Sequence, residues 1–277
     1  MINEKINLKE FYPMLENDAY LTSYCPSNFA EFSTNKVRKC IIVIPGGGYE
    51  SVSDREGEPV ALRFAGYDIA AFLLKYSIAP NLNYPNPFVE AFAAIAYVRK
   101  NASKYHIDPN KISVIGFSAG GHLAATISAY WNNNEYADFL KVSNDDIKIN
   151  GCILGYPVIS TTFGHKGTIV NSTKNDPILL EKLSIDKHVS KDFPKTFIWH
   201  TTFDTVVDVK NSLALAEALS ENKIFYEMHI YPMLDHGQSL ADYSVYNEQM
   251  MSKENMEKIK YNTQWIDNAI HFIKEYI

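Results

Sequence analysis

A run rich in β-branched residues, 112–115, leads straight into Gly116-Phe117-Ser118-Ala119-Gly120, and an Ala-rich stretch begins directly behind it. This order leaves little choice of local fold. A strand must hand over to a helix in a turn so sharp that the serine backbone is strained and its hydroxyl stands clear of the sheet. Gly116 and Gly120 lie two residues either side of Ser118, where a side chain would collide with the neighbouring strand or helix. Ala119 is small and would aim its N–H at the side on which the serine oxygen lies. The bare five-residue pattern is common by chance. Between a strand and a helix it points to an activated serine, and the bland alternative is a turn with no chemistry.

The chain has 277 residues, 46% of them hydrophobic and 21% charged, which places it among ordinary soluble globular proteins with room for one large α/β domain or two small ones. Net charge is −6 and the 26 Lys and Arg residues are scattered, so nucleic-acid binding is not expected. No apolar run has the length of a signal sequence or a bilayer crossing, so no membrane partner is expected. Cys25, Cys40 and Cys152 match neither a zinc spacing nor a disulfide framework. They read as buried thiols of a reducing compartment, which makes the cytoplasm the expected location. Self-association into a homo-oligomer stays open.

Strand-like and helix-like segments alternate, the pattern of a mostly parallel sheet wrapped by helices. Strands are predicted at residues 37–44, 69–76, 111–115, 149–154, 196–200 and 225–231, with early ones at 19–24 and at 31–32. Phe88, Ala91, Phe92, Ile95, Val98 and Ala102 recur at helical spacing after Pro87. Leu123, Ile127 and Tyr130 mark the core face of the helix behind Ser118. Val209, Leu213, Ala216 and Leu219 mark another, and Ile266, Ala269, Ile270 and Ile273 a terminal helix from about residue 262. Residues 156–194 are irregular, with a short helix near 178–182 at most. One domain over residues 1–277 accounts for the whole pattern.

A serine hydroxyl is a poor nucleophile at neutral pH, so Ser118 needs a base, and the base needs a group that holds its tautomer. Ligands in such a sheet bind at the carboxyl ends of the strands, so the base should directly follow a late strand. His236, in Met233-Leu234-Asp235-His236-Gly237-Gln238, does so. His106, His229 and His271 fall in a helix-to-strand connection, a strand and the terminal helix. His165 and His188 sit in the irregular insertion, where they could touch substrate. His122, one helical turn past Ser118, reads as structural, and His200 as a brace for the acid's loop. For the acid, Asp204 lies in the loop after strand 196–200, whereas Asp208 sits where a helix should begin, the usual place for an N-cap. Asp204 is the preferred assignment, with Asp176 and Asp186 as remote alternatives. Pro45-Gly46-Gly47-Gly48-Tyr49 follows an early strand, and its glycines let the backbone approach a ligand closely. The N–H groups of Gly47, Gly48 and Ala119 are the expected donors to an oxyanion. The rival phosphate-binding reading fails because no Gly-Lys-Ser/Thr follows and no G-x-G-x-x-G is completed.

These motifs resemble those of α/β-hydrolases, and within them the hormone-sensitive-lipase-like esterases, in the branch labelled acetyl-xylan esterase, sugar-ester hydrolase or esterase/lipase. The resemblance rests on Pro45-Gly46-Gly47-Gly48-Tyr49, Ser53-Asp54-Arg55-Glu56-Gly57-Glu58-Pro59, Ala79-Pro80, Tyr84-Pro85 and Pro87, and Asp108-Pro109. It continues through residues 116–123, through His200 with Asp204 and Val207, and to Asp235-His236-Gly237, spanning most of residues 37–237. It implies an α/β-hydrolase fold and the chain order Ser118, Asp204, His236. Two departures matter. Pro45 stands where the lipase-like group carries His, and the N-terminal helical cap of lipases is missing, so any lid must come mainly from residues 156–194.

The expected activity is removal of a short acyl group, acetyl foremost, from a carbohydrate or small-alcohol ester, with no cofactor or metal. An amide-cleaving enzyme (a formamidase or small peptidase) is the alternative, and a catalytically dead binding protein a more distant one. Tyr49 and Tyr84, in loops at the same end of the sheet, could stack on a sugar, and Phe163 is the lone aromatic between residues 160 and 175.

Overall fold

The β-branched segments become strands of one sheet in the computed structural model, which describes residues 1–31, 33–246 and 259–277. In chain order they are β1 (Lys5–Asn7), β2 (Tyr20–Tyr24), β3 (Arg38–Ile44), β4 (Ala70–Lys75), β5 (Ile107–Phe117), β6 (Gly151–Gly155), β7 (Lys195–Thr201) and β8 (Tyr226–Tyr231). Their order across the sheet is β1-β2-β4-β3-β5-β6-β7-β8. The pairs β1/β2 and β2/β4 are antiparallel, and every pair from β4 through β8 is parallel. This is an α/β-hydrolase sheet.

Alternation along β3 explains how both faces are buried. Ile42 and Ile44 enter one core with Phe88, Phe92 and Leu123, while Ile41 and Val43 enter another with Phe64, Trp265 and Ile266. A parallel sheet needs helices on both sides. Here α2 (Asn86–Lys100) and α3 (Ser118–Tyr130) supply the first core, and α1 (Glu58–Gly66) and the terminal helix the second. Each large side chain so buried contributes about 1.5–3 kcal/mol. Among the described residues, no helix is long and apolar enough to cross a membrane.

Several expectations need correction. β5 begins at Ile107 rather than 111, because Ile107 pairs with Arg38 before the register breaks ahead of Cys40 and Ile112. β1 was not anticipated, since three residues are too few to show a period. Of the early pair 31–32, residue 32 lies outside the described residues, and nearby a lone bridge joins Phe29 to Ser33. Two further short helices, α4 (Asn134–Leu140) and α5 (Asn144–Ile147), follow α3. The irregular insertion holds two helices rather than one, α6 (Lys166–Thr173) and α7 (Pro177–Lys182). α6 carries no apolar stripe. It is capped instead by the His165 side chain, which accepts from the Thr168 N–H, and closed by Lys174 in the left-handed conformation. Then come α8 (Lys210–Glu221) and the terminal α9 (Gln264–Tyr276).

Candidate active site

β3, β5, β7 and β8 run parallel, so the loops that follow them meet at one edge of the sheet. Between β5 and α3, Ser118 has φ = +51°, a conformation costly for a residue with a Cβ. The crowding around it explains the flanking glycines. A Cβ on Gly116 would lie 2.2 Å from the Gly120 carbonyl oxygen, and one on Gly120 would lie 2.2 Å from that of Ile44. Both distances are impossible, so the turn tolerates no side chain there.

Ser118, His236 and Asp204 form one hydrogen-bonded chain. The Ser118 hydroxyl lies 2.8 Å from His236 Nε2, and His236 Nδ1 lies 2.6 Å from Asp204 Oδ2. With the serine donating to Nε2, Nδ1 carries the proton that goes to the carboxylate. Asp204 is otherwise saturated. Its Oδ1 accepts from the N–H groups of Val206 (3.0 Å) and Val207 (2.7 Å), and Oδ2 lies 3.1 Å from His200 Nε2. Burial pushes this carboxyl up, but the bonds from His200 and His236, the nearby imidazole charge and the Val207 N–H outweigh it. The acid is therefore held well below the usual carboxylate range.

His200, fully buried, lies 2.8 Å from the Ser212 hydroxyl through Nδ1 and 2.9 Å from the Val207 carbonyl through Nε2, and so braces the acid's loop. Asp208 is placed differently: its Oδ1 accepts from the Lys210 N–H at 2.9 Å, at the start of α8. A link that sequence reasoning missed joins the two loops. Asp235 accepts from the Thr205 N–H, the Thr205 hydroxyl and the His236 N–H at 2.8–2.9 Å. Asp235 belonged to a recognised motif, but nothing in its spacing named Thr205.

In the loop after β3, the Gly46 N–H is already engaged, at 2.7 Å from Glu56 Oε2. The N–H groups of Gly47 and Gly48 make no hydrogen bond among the described residues, while the Gly47 carbonyl accepts from Glu50 and Ser51. Gly47 and Gly48 have φ of +126° and +65°. Ala119 lies in the first turn of α3, directly after Ser118, where an N–H has no intrahelical partner. The insertion reaches this loop through α6: Asn171 Nδ2 donates to the Gly48 carbonyl at 2.9 Å and to Glu50 Oε1 at 3.1 Å. Asn171 lies in a polar stretch that gave no signal in sequence.

The tyrosines expected to meet substrate are placed elsewhere. Tyr49 is fully buried, and its hydroxyl donates to His122 Nδ1 at 3.0 Å, so its ring cannot stack on a ligand. The ring of Tyr84 is covered by the Lys182 ammonium, 5.2 Å from its centroid, and its hydroxyl bonds to Glu135 and Tyr136. Phe163 is exposed. His165 caps α6, and His188 lies 2.9 Å from the Glu181 carbonyl. Asp176 caps α7, and Asp186 accepts from Ser184, so neither approaches the histidine. Among the described residues, no group of three or more His, Cys, Asp or Glu side chains is arranged to hold a metal ion.

His122 is buried between Tyr49 and the Leu183 carbonyl, which its Nε2 meets at 2.9 Å. Burial lowers its pKa to about 4, against the opposing bond to Leu183. The unfolded chain takes up the proton near pH 6.5 while the folded one stays neutral, so acid favours unfolding from 6.5 down to about 4. Glu90 works in the opposite sense, because burial pushes its carboxyl up to about 7. Comparison with His122→Gln isolates the histidine. Between pH 7 and 4 the wild type should lose about 3 kcal/mol more unfolding free energy than the variant. Equal pH dependence in urea titrations of both proteins would exclude a buried neutral ring.

Comparison with known proteins fits this geometry. The BD-FAE family model matches residues 27–219. A crystal structure of an acetyl ester-xyloside bifunctional hydrolase from Caldicellulosiruptor lactoaceticus superposes with a TM-score of 0.77 at 34% identity, covering 96% of each chain. Among curated proteins, the chain is 36% identical to endo-1,4-beta-xylanase B of Butyrivibrio fibrisolvens over 79% of its own length and 35% of that protein. It is 28% identical to an acetylxylan esterase of Xylanibacter ruminicola over 78% of its length and 44% of that protein. The chain thus spans a third to under a half of these two curated relatives. With the family model covering most of the chain and the fold of these hydrolases around the serine elbow, the chain belongs to the BD-FAE family of esterase-like α/β-hydrolases.

Proposed function

We propose that this chain is a serine carboxylic-ester hydrolase that removes short acyl groups, acetyl foremost, from carbohydrate or other small-alcohol esters. The observation that carries the reading is the continuous chain from the Ser118 hydroxyl through His236 to Asp204, at a backbone strained to present that hydroxyl. Ser118 Oγ attacks the ester carbonyl and passes its proton to His236 Nε2. Negative charge then develops on the carbonyl oxygen, facing the N–H groups of Gly47, Gly48 and Ala119. Each such donor is worth about 3 kcal/mol in the transition state. The imidazolium gives its proton to the departing alcohol, leaving an acyl-serine. Water, deprotonated by His236, attacks that acyl group and releases the carboxylic acid with Ser118 restored. Asp204 keeps the proton on Nδ1 throughout, so that Nε2 is free to act as base.

The carbohydrate half of the reading rests on the xylan-linked relatives, since Tyr49 is fully buried and the Lys182 ammonium lies over the Tyr84 ring. The short acyl half rests on the insertion, where α6 turns Asn171 rather than an apolar side chain toward the Gly48 loop. A largely apolar cavity of about 650 Å³ does lie nearby, lined by Phe203, Thr205, Pro232, Met233, Leu234 and Asp235, but neither Ser118 nor any residue of the Gly46–Gly48 loop lines it. A long acyl chain gains about 0.8 kcal/mol per methylene only where each methylene leaves water. On p-nitrophenyl esters, kcat/KM should therefore peak at acetate or propionate and fall steeply by octanoate, with acetylated xylo-oligosaccharides better than simple alkyl acetates. A rise through octanoate would reject the short-acyl reading and direct attention to that cavity. Faster turnover of N-formyl compounds than of any ester would replace it with the amide reading.

A further inference from the structure

Glu56 is a carboxyl group buried beside the reacting serine that the steps above leave unused. Only 4% of its surface is exposed. Its two oxygens face different loops: Oε2 accepts from the Gly46 N–H at 2.7 Å, and Oε1 accepts from the Tyr156 hydroxyl at 2.7 Å. The Tyr156 oxygen in turn accepts from the Ser239 N–H at 2.7 Å, and the Tyr156 ring stands edge-on to His236 with centroids 4.9 Å apart. How close this group lies to Ser118 is measured by Gly46. A Cβ there would be 2.9 Å from both Glu56 Oε2 and Ser118 Cβ.

Building on the esterase reading, we propose that Glu56 is a positioning residue that ties the Gly46–Gly48 loop, through Tyr156, to the loop carrying His236. The Ser239 hydroxyl also joins these two loops by donating to the Arg55 carbonyl at 2.5 Å, but that bond does not reach Gly46. Without Glu56 the glycines themselves would lose their tie, and the oxyanion donors could shift relative to the base. Catalysis punishes such shifts: about 1 Å of misplacement costs about 100-fold. Burial pushes the Glu56 carboxyl up, opposed by the bonds from Tyr156 and Gly46, so a full set of donors is what makes the carboxylate tolerable there. Glutamine keeps the shape but offers one acceptor, so either the Gly46 N–H or the Tyr156 hydroxyl meets a donor.

The test is steady-state kinetics on p-nitrophenyl acetate for Glu56→Gln, Tyr156→Phe and the exposed neighbour Asp54→Asn, with Ser118→Ala alongside. Glu56→Gln should lower kcat by about 10- to 100-fold with KM within about threefold of wild type, and slow fluorophosphonate labelling in parallel. Tyr156→Phe keeps the ring against His236 and should lower kcat in the same sense by a smaller factor, while Asp54→Asn stays at wild type. If Glu56→Gln does not fold, Tyr156→Phe decides. A kcat within about twofold of wild type in the deciding variant, with Ser118→Ala inactive, overturns the role of Glu56 and leaves the esterase reading standing. Turnover by Ser118→Ala removes that reading, and this proposal with it.

Discussion

Replacing Ser118 by alanine is expected to reduce ester turnover to below about a thousandth of wild type while moving the thermal midpoint by no more than about 3 °C. The large effect follows from geometry. On the proposed mechanism the hydroxyl deleted is the attacking atom; it lies 2.8 Å from His236 Nε2, to which no other described side chain bonds. The small effect follows from the backbone. Alanine in the left-handed region at φ = +51° is strained as serine is, so the elbow's cost is unchanged. Residual activity above that level in protein free of contaminating esterases would remove Ser118 as nucleophile. Loss of fold, read by circular dichroism, would instead mean that the hydroxyl supports the turn.

Asp204→Asn should cost about 10³- to 10⁴-fold in kcat, whereas Asp208→Asn should change it by less than about twofold. Asp204 accepts four hydrogen bonds, from Val206 and Val207 on one oxygen and from His236 and His200 on the other. An amide can serve one pair. If its oxygen stays with the valines, its NH₂ faces His236 Nδ1, which must give up its proton to accept, and Nε2 then carries the hydrogen that blocks it as a base. Asp208, by contrast, makes one bond to the Lys210 N–H, which an asparagine oxygen makes equally well. Kinetics of the two variants side by side settle the assignment: a crippled Asp208→Asn with an active Asp204→Asn would reverse it.

What could be read from the sequence was the order of strands and the loops that follow them, because those depend on local patterns. The run at 112–115 and the small residues after it call for a strand, a tight turn and a helix, and β5 and α3 meet at Ser118. The two tyrosines show where such reading stops. Position in a loop after a strand said nothing about which way a ring turns. Tyr49 turns inward to His122, and Tyr84 turns to the Lys182 ammonium, a partner 98 residues away. α6 stayed hidden because its stability comes from a histidine cap and a left-handed close rather than from an apolar stripe. Glu56 stood within a recognised motif, yet its partners Gly46 and Tyr156 come from two other loops, and spacing along the chain does not encode that meeting.

The insertion after β6 is fastened unevenly. Its second half is pinned to α3 and its end: Leu183 accepts from His122, Lys182 from the Tyr130 hydroxyl at 2.7 Å, and Asp192 from the Trp131 indole at 2.9 Å. Its start is pinned as well, Asn211 Oδ1 accepting from the Ile159 and Ser160 N–H groups, and the stretch that follows meets the Gly48 loop through the Asn171 amide. The two halves therefore answer to different demands. On the proposed function, changes confined to residues 162–175 leave the Asp176 cap of α7 and the bonds behind it in place. A graft carried on to residue 194 exchanges those bonds as well. A loop exchange at the bench therefore has its seam just before Asp176, which must stay with the helix it caps.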